Sequence, residues 1–372
     1  MTQQPVDTTL PPFLVGLQIR YTLANSFHAK GFYMRFEFYN EDIESVPKLS
    51  VDGIVPNSIH FSHWEGNQTP ADVKADTSTE IALNLVASPN RGKLTQDIEL
   101  VTNNHFDTDG VLSVWTVING ERALEFRDRL IGAAEAGDFS EYTNEAAVKT
   151  SLAIQGSDQT GPDDEAGSPL ARLIAGEEVK DDAKGYELVL PEVEHLLTRI
   201  DDYEPLWRSG WERIAKAVES FERGDSRVEE YRDARLSVIT LAPEIFSGGG
   251  FNPTRHAAPY TAISRYARGA LYLIAIPRDD GWYYRFDYPY YSWAETIVRP
   301  QIERRDFTKV LHELNEMEGN LNGHWQPDNR EMTSAVKFFD QQGTLAASKL
   351  RLEEVVGVVR GKAAERTANF VL

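Results

Sequence analysis

The 372-residue chain is 41% hydrophobic and 26% charged, a balance that excludes wholesale disorder and fibrous repeats, and its length suits two compact units or one large one. With 58 acidic against 38 basic residues the formal net charge is −20, a field that excludes long duplex nucleic acid as a partner but leaves a small phosphate ester in a local basic pocket open. No cysteine is present, which excludes thiolate nucleophiles, disulfides, zinc ribbons and iron–sulfur clusters, so any metal must be held by Asp, Glu, His or backbone oxygen.

The first residues, "MTQQPVDTTLPPFLVG", lack the basic and long apolar regions of a secretory leader, and no later run approaches a membrane span. A cytoplasmic protein without a membrane partner is expected. Residues 13–39 are aromatic and β-branched with partial alternation, which predicts a β-hairpin or entry strands within an N-terminal β segment, 1–45. From about 48 to 150 the pattern of strand, polar loop and helix repeats. It predicts an α/β fold, a largely parallel sheet with flanking helices, in a domain spanning 46–235. A second, smaller α/β lobe is expected over 236–372.

The first strand-loop-helix unit with chemistry is "VPNSIHFSHWEGNQTPADVKADTSTEIALNLV". His60 and His63 fall at the strand end, and Asp76 precedes the helix. Thr77 and Glu80 match a capping box, a purely structural account of this stretch. His63 and Asp76 are still candidate site residues.

The next unit, "DIELVTNNHFDTDGVLSVWTVI", carries the strongest motif. An apolar strand ends in polar residues, and Val111, Leu112, Val114, Trp115, Val117 and Ile118 then share one broad helical face. His105, Asp107 and Asp109 therefore sit in a strand-to-helix loop at the carboxyl edge of the sheet, where open α/β folds bind ligands. Two carboxylates two residues apart beside an imidazole suit manganese or magnesium. Gly110 lets the chain turn sharply. An EF-hand fails on spacing, because its fifth and sixth positions would be Val111 and Leu112. Capping of the following helix explains one carboxylate, whereas clustered acids need a cation to relieve their repulsion. Further on, "LIGAAEAGDFSEY" ends a helix at Gly137 and presents Asp138, a further metal candidate if it converges on the same site.

The stretch 156–169, "GSDQTGPDDEAGSP", is polar and acidic and reads as a surface loop or linker. Helices follow to about 224. The second lobe then offers strands at "ARLSVITLA" and "RGALYLIAI", a hairpin arm at "GWYYRFDYPYYSW", and helices near 306–318 and 345–360. Its aromatic run fits an interdomain core better than a nucleobase platform. Arg255, His256, Arg265 and Arg268 are candidate substrate-binding residues, since arginine clamps phosphate, although the last two also suit an exposed helix surface. Arg299, Arg304 and Arg305 add a modest basic patch. No nucleophile elbow, Walker loop, zinc-protease helix or dinucleotide fingerprint is present.

"HFDTDGVLS" resembles the first motif, Asp-x-Asp-Gly-x-x-Ser, of the DHH phosphoesterase superfamily. "IHFSHW" followed by "TSTEIALNLV" is similar to that superfamily's strand ending in Asp-His-His and its following helix, and "GDF" to its later metal-binding aspartate. Two departures stand out. Ser62, His63 and Trp64 occupy the place of the triplet, and the order of segments is permuted. A closer likeness is to an uncharacterised bacterial family sharing "SHW-x-GN-x-TP", "ADTSTE" and "HFD-x-DG".

The DHH resemblance implies that His63, His105, Asp107, Asp109 and Asp138 hold one or two manganese or magnesium ions that activate a water on a small phosphorylated substrate. It also makes "EGNLNGHWQPD" similar to the glycine-histidine element of the substrate lobe, which nominates His324. Three readings stay open: a metal-dependent hydrolase of a phosphate ester or anhydride with His105, Asp107 and Asp109 catalytic, a metal-dependent biosynthetic enzyme on a related fold, and a non-catalytic relative binding a small anion or a protein. A homodimer is compatible with all three.

Overall fold

The structure, a computed structural model, describes residues 34–157, 167–243, 259–319, 323–328 and 333–367. Most of the expected N-terminal hairpin, the middle of the acidic loop, Arg255 and His256 lie outside the described residues.

The first lobe is built on a parallel sheet of β1 (Arg35–Phe36), β2 (Lys48–Val51), β3 (Ser58–Phe61) and β4 (Leu100–Thr102), in the order β1-β4-β2-β3. Every residue of β2 and β4 is buried, as strands covered on both faces require. Even Lys48 is enclosed. Its ammonium is satisfied by the carbonyls of Ile43, Glu44 and Val46 at 2.9 Å each, so the charge is solvated by backbone dipoles that pin the entry to β2.

Helices α1 (Ser78–Ala87), α2 (Thr108–Asn119), α3 (Arg127–Asp138) and α4 (Glu145–Gln155) pack on one another and on this sheet, followed by the amphipathic α5 (Glu204–Arg223). The expected α/β lobe is present. α2 begins at Thr108, three residues before Val111, because Asp107 caps it. α3 is short of bulk: Gly132, Ala133, Ala134, Ala136 and Gly137 are buried, so neighbouring helices approach closely.

The second lobe carries a mixed sheet of β5 (Arg227–Tyr231), β6 (Leu236–Thr240), β7 (Leu271–Arg278), β8 (Gly281–Asp287), β9 (His324–Pro327) and β10 (Ser334–Phe339). Its order is β5-β6-β7-β8-β10-β9, parallel between β6 and β7 and antiparallel elsewhere. Helices α6 (Thr308–Glu318) and α7 (Leu352–Thr367) cover it, and Tyr284, Phe286, Leu314, Trp325, Phe338 and Val355 form its core. The expected hairpin arm is a strand only as far as Asp287. Pro289 cannot donate to a ladder, and the chain leaves as a 3-10 turn, Tyr290–Trp293, that runs into the first lobe.

Candidate metal centre

Parallel strands put all their carboxyl ends on one edge, and three of the four deliver a polar residue there. β2 runs directly into Asp52, held in the left-handed region at φ 57. β3 is followed by Ser62 and His63. β4 leads through Asn103 and Asn104 to His105 and then to Asp107, the N-cap of α2, with Asp109 in its first turn. The fourth acid, Asp138, is the last residue of α3.

Two glycines make the convergence sterically possible. A Cβ on Gly137 would come within 2.6 Å of the Thr108 Cβ, so only glycine lets the end of α3 lie against the start of α2. A Cβ on Gly110 would meet the Tyr186 hydroxyl at 2.6 Å. Gly110 is thus required by close approach inside a helix, not by the sharp turn its place in the motif suggests.

The side chains form two adjoining groups that share Asp52. In the inner one, Asp52, His63, Asp109 and Asp138 place ligand atoms within 4.8 Å of one another. His63 Nε2 lies 3.1 Å from Asp138 Oδ2, 3.4 Å from Asp52 Oδ1 and 3.7 Å from Asp109 Oδ2. In the outer group, His105 Nε2 lies 3.1 Å from Asp52 Oδ2 and 3.0 Å from Asp107 Oδ2. The groups differ in exposure: the side chains of Asp52 and His63 are 0% exposed, those of His105 and Asp107 25% and 27%.

Each ligand is oriented by a further bond. The His63 Nδ1 lies 2.6 Å from the Asp76 carbonyl oxygen, so it donates there and turns the Nε2 lone pair toward the carboxylates. Asp109 accepts the N–H groups of Ser78 and Thr79, one on each oxygen, at 2.7 Å, joining the first turns of α1 and α2. Asp107 accepts the Gly110 N–H on Oδ1 at 2.7 Å, which leaves Oδ2 for the outer group. Capping and ligand geometry are therefore both present in one carboxylate.

Whether this arrangement fits a cation is decided by its buried polar atoms. His63 Nε2 and Asp52 Oδ1 are buried without a hydrogen-bond partner among the described residues, although they face each other. Three enclosed carboxylates around one imidazole leave net negative charge in a low-dielectric site, a costly arrangement without a cation. The electrostatics record the strain. Burial, aggravated by Asp52, pushes the Asp109 carboxyl up to about 7. Burial, aggravated by Asp107, holds Asp138 well above the usual carboxylate range. Burial alone would pull the imidazoles down, but Asp138, Asp52 and Asp109 hold His63 well above its ordinary value, and Asp107 with Asp52 pushes His105 up to about 11. The residues fit a divalent cation.

Of the residues nominated from sequence, His63, Asp109 and Asp138 meet in the inner group and His105 and Asp107 in the outer. Asp76 stands in neither; its carboxylate accepts from the backbone of Ile297, Val298 and Arg299 and from the Arg299 guanidinium. His60 accepts from Gln68 N, and the Glu80 carboxylate meets Arg127, so Thr77 caps α1 without the reciprocal bond of a capping box. His324 is exposed on β9 and bonds Gln326. Arg265 pairs with Glu222, and Arg268 donates to backbone carbonyls near its own turn. Sequence reasoning missed Asp52, the residue common to both groups. The sequence carries one modest signal for it: a short stretch, "KLSV", that alternates polar and apolar residues and ends in Asp-Gly.

Residues 34–355 match the model of a family of unknown function, DUF6687, and the chain belongs to that family. No curated protein and no solved structure matches it.

Proposed function

Since membership of that family assigns no chemistry, we propose from the site itself that the protein is a divalent-metal-dependent hydrolase of a phosphate ester or anhydride, acting on a small nucleotide or short oligonucleotide. One observation carries the reading. Asp52 turns one carboxylate oxygen to His63 and the other to His105, so two ligand groups lie side by side and share a residue. Paired cations in such a site, when bound, supply charge neutralisation and an activated water for in-line displacement at phosphorus, with no protein nucleophile. Carboxylates with one imidazole per group favour manganese or magnesium.

The chain's own residues divide the work by burial. His63, Asp109 and Asp138 are enclosed and would hold an ion away from water. His105 and Asp107 are partly open, and the substrate phosphoryl group would approach from their side. Asp109, fixed by two backbone N–H groups, cannot swing toward solvent. The resemblance to DHH phosphoesterases supports the same reaction, because the five ligands it nominates fall into these two groups.

The test is turnover by manganese-loaded protein of inorganic pyrophosphate, a bis-nitrophenyl phosphodiester and a dinucleotide, beside Asp107→Asn. Hydrolysis of at least one, abolished by chelation and by the substitution, is the expected result. Protein that retains its manganese yet turns over none of them would remove the hydrolase reading and leave the biosynthetic or anion-binding alternatives.

A further inference from the structure

The described residues place part of the second lobe against His63, one of the fully enclosed ligands. Trp293 sets its ring edge-on to the His63 imidazole, centroids 5.0 Å apart at 81°. Glu295 donates its N–H to the His63 carbonyl at 2.8 Å. The next three residues are gripped by Asp76: its carboxylate, 3% exposed, accepts the N–H groups of Ile297, Val298 at 2.8 Å and Arg299 at 2.9 Å, and the Arg299 Nη1 at 2.8 Å. The backbone carbonyl of this same Asp76 accepts from His63 Nδ1. Arg299 then spends its other nitrogens on Glu141, at 2.8 Å, and on Glu135, at 2.7 Å, one turn before Asp138 in α3.

Apolar burial does not explain why the chain takes this path. Ile297 and Val298 are 57% and 86% exposed while their backbone N–H groups are held by a buried carboxylate. The segment is fixed by its main chain and by one guanidinium, whose planar fork suits several carboxylates at once.

We infer that Asp76 and Arg299 form an interlobe clamp that positions the His63 imidazole, making the second lobe a structural part of the inner metal group. The inference rests on the cation-binding reading above. Neither residue touches the space enclosed by the ligands; Asp76 acts through its carbonyl on His63, and Arg299 through Asp76 and α3. Loss of the clamp frees the Asp76 carbonyl to shift and the imidazole to rotate, so the inner ion is weakened and the outer one, held by His105 and Asp107, is spared. Residues that orient metal-ligating histidines this way are worth about 10–100-fold in metal affinity.

The experiment is calorimetric titration of manganese into the full chain, as wild type, Asp76→Asn and Glu141→Gln, well below the melting temperature of each metal-free protein. Glu141→Gln is the milder change and covers the case in which Asp76→Asn fails to fold. The tighter of two binding steps should weaken by about 10–100-fold in Asp76→Asn and less in Glu141→Gln, with the weaker step unmoved. A mere fastener between lobes would lower the metal-free melting temperature and leave both affinities as they were, which would overturn the clamp alone. Wild-type protein that takes up no manganese would overturn the cation reading and the clamp together.

Discussion

Asp107 shows how one side chain can answer to two accounts. Its Oδ1 caps α2 through the Gly110 N–H, and its Oδ2 stands 3.0 Å from His105 in the outer ligand group. The two roles separate by substitution. Serine is as good an N-cap as aspartate, so Asp107→Ser should keep stability within about 0.5 kcal/mol and lose the outer ion; Asp107→Ala should also lose about 1 kcal/mol of cap. Thermal melts of metal-free protein with manganese counts on the same samples check both parts, and equal manganese in all three proteins would limit Asp107 to capping. Asp52 was less legible. An aspartate-glycine pair after a short strand reads as a turn, and its importance comes from β2 lying between β3 and β4, an order that sequence does not print.

At the scale of elements, periodicity carried most of the reading. α2, the alternation of strand and helix from β2 to α3, and the strands β6 and β7 all follow from where apolar residues recur. The reason for Gly110 was hidden, because the atoms it makes room for belong to Asn103 and Tyr186, side chains 83 residues apart that bond each other at 2.9 Å. This fixes the sign of a prediction. In an exposed helix Gly→Ala gains up to about 1 kcal/mol; here the added methyl meets two buried, mutually bonded groups, and Gly110→Ala should instead cost about 1–3 kcal/mol. Denaturant midpoints of wild type and variant without metal measure it. A stabilised variant would mean that this approach is looser than the structure places it.

For the molecule as a whole, acidity and architecture act together. The first lobe gathers six candidate ligands, four of them carboxylates, in a chain of formal charge −20, and the second lobe bonds Asp76 behind them through Arg299, a residue whose sequence neighbourhood suggests only a modest basic patch. That contact joins positions 223 residues apart, beyond the reach of any local pattern.

The buried charge also sets the response to pH. Asp109 is pushed up to about 7 by burial and Asp52, so its protonated form stabilises the metal-free fold at low pH and that contribution is lost as pH rises through 7. His105, raised to about 11, begins to lose its contribution above its ordinary value near 6.5. Both trends run downward between about pH 6 and 8, whereas Asp52, held below the usual range, changes only in acid. Cations compete with those protons. The melting temperature of metal-free protein should therefore fall from about pH 6 to 8 while the rise on adding manganese grows. A manganese-induced rise that is flat or shrinks over that range would contradict this linkage.

A two-cation centre joined by Asp52 has a definite metal stoichiometry, which can be counted. Manganese should be counted by mass spectrometry in wild type and Asp52→Asn after supplementation and desalting. About two ions per chain are expected in the wild type and at most one in the variant, because Asp52 serves both groups. Equal occupancy in the two proteins, whether full or empty, would contradict it.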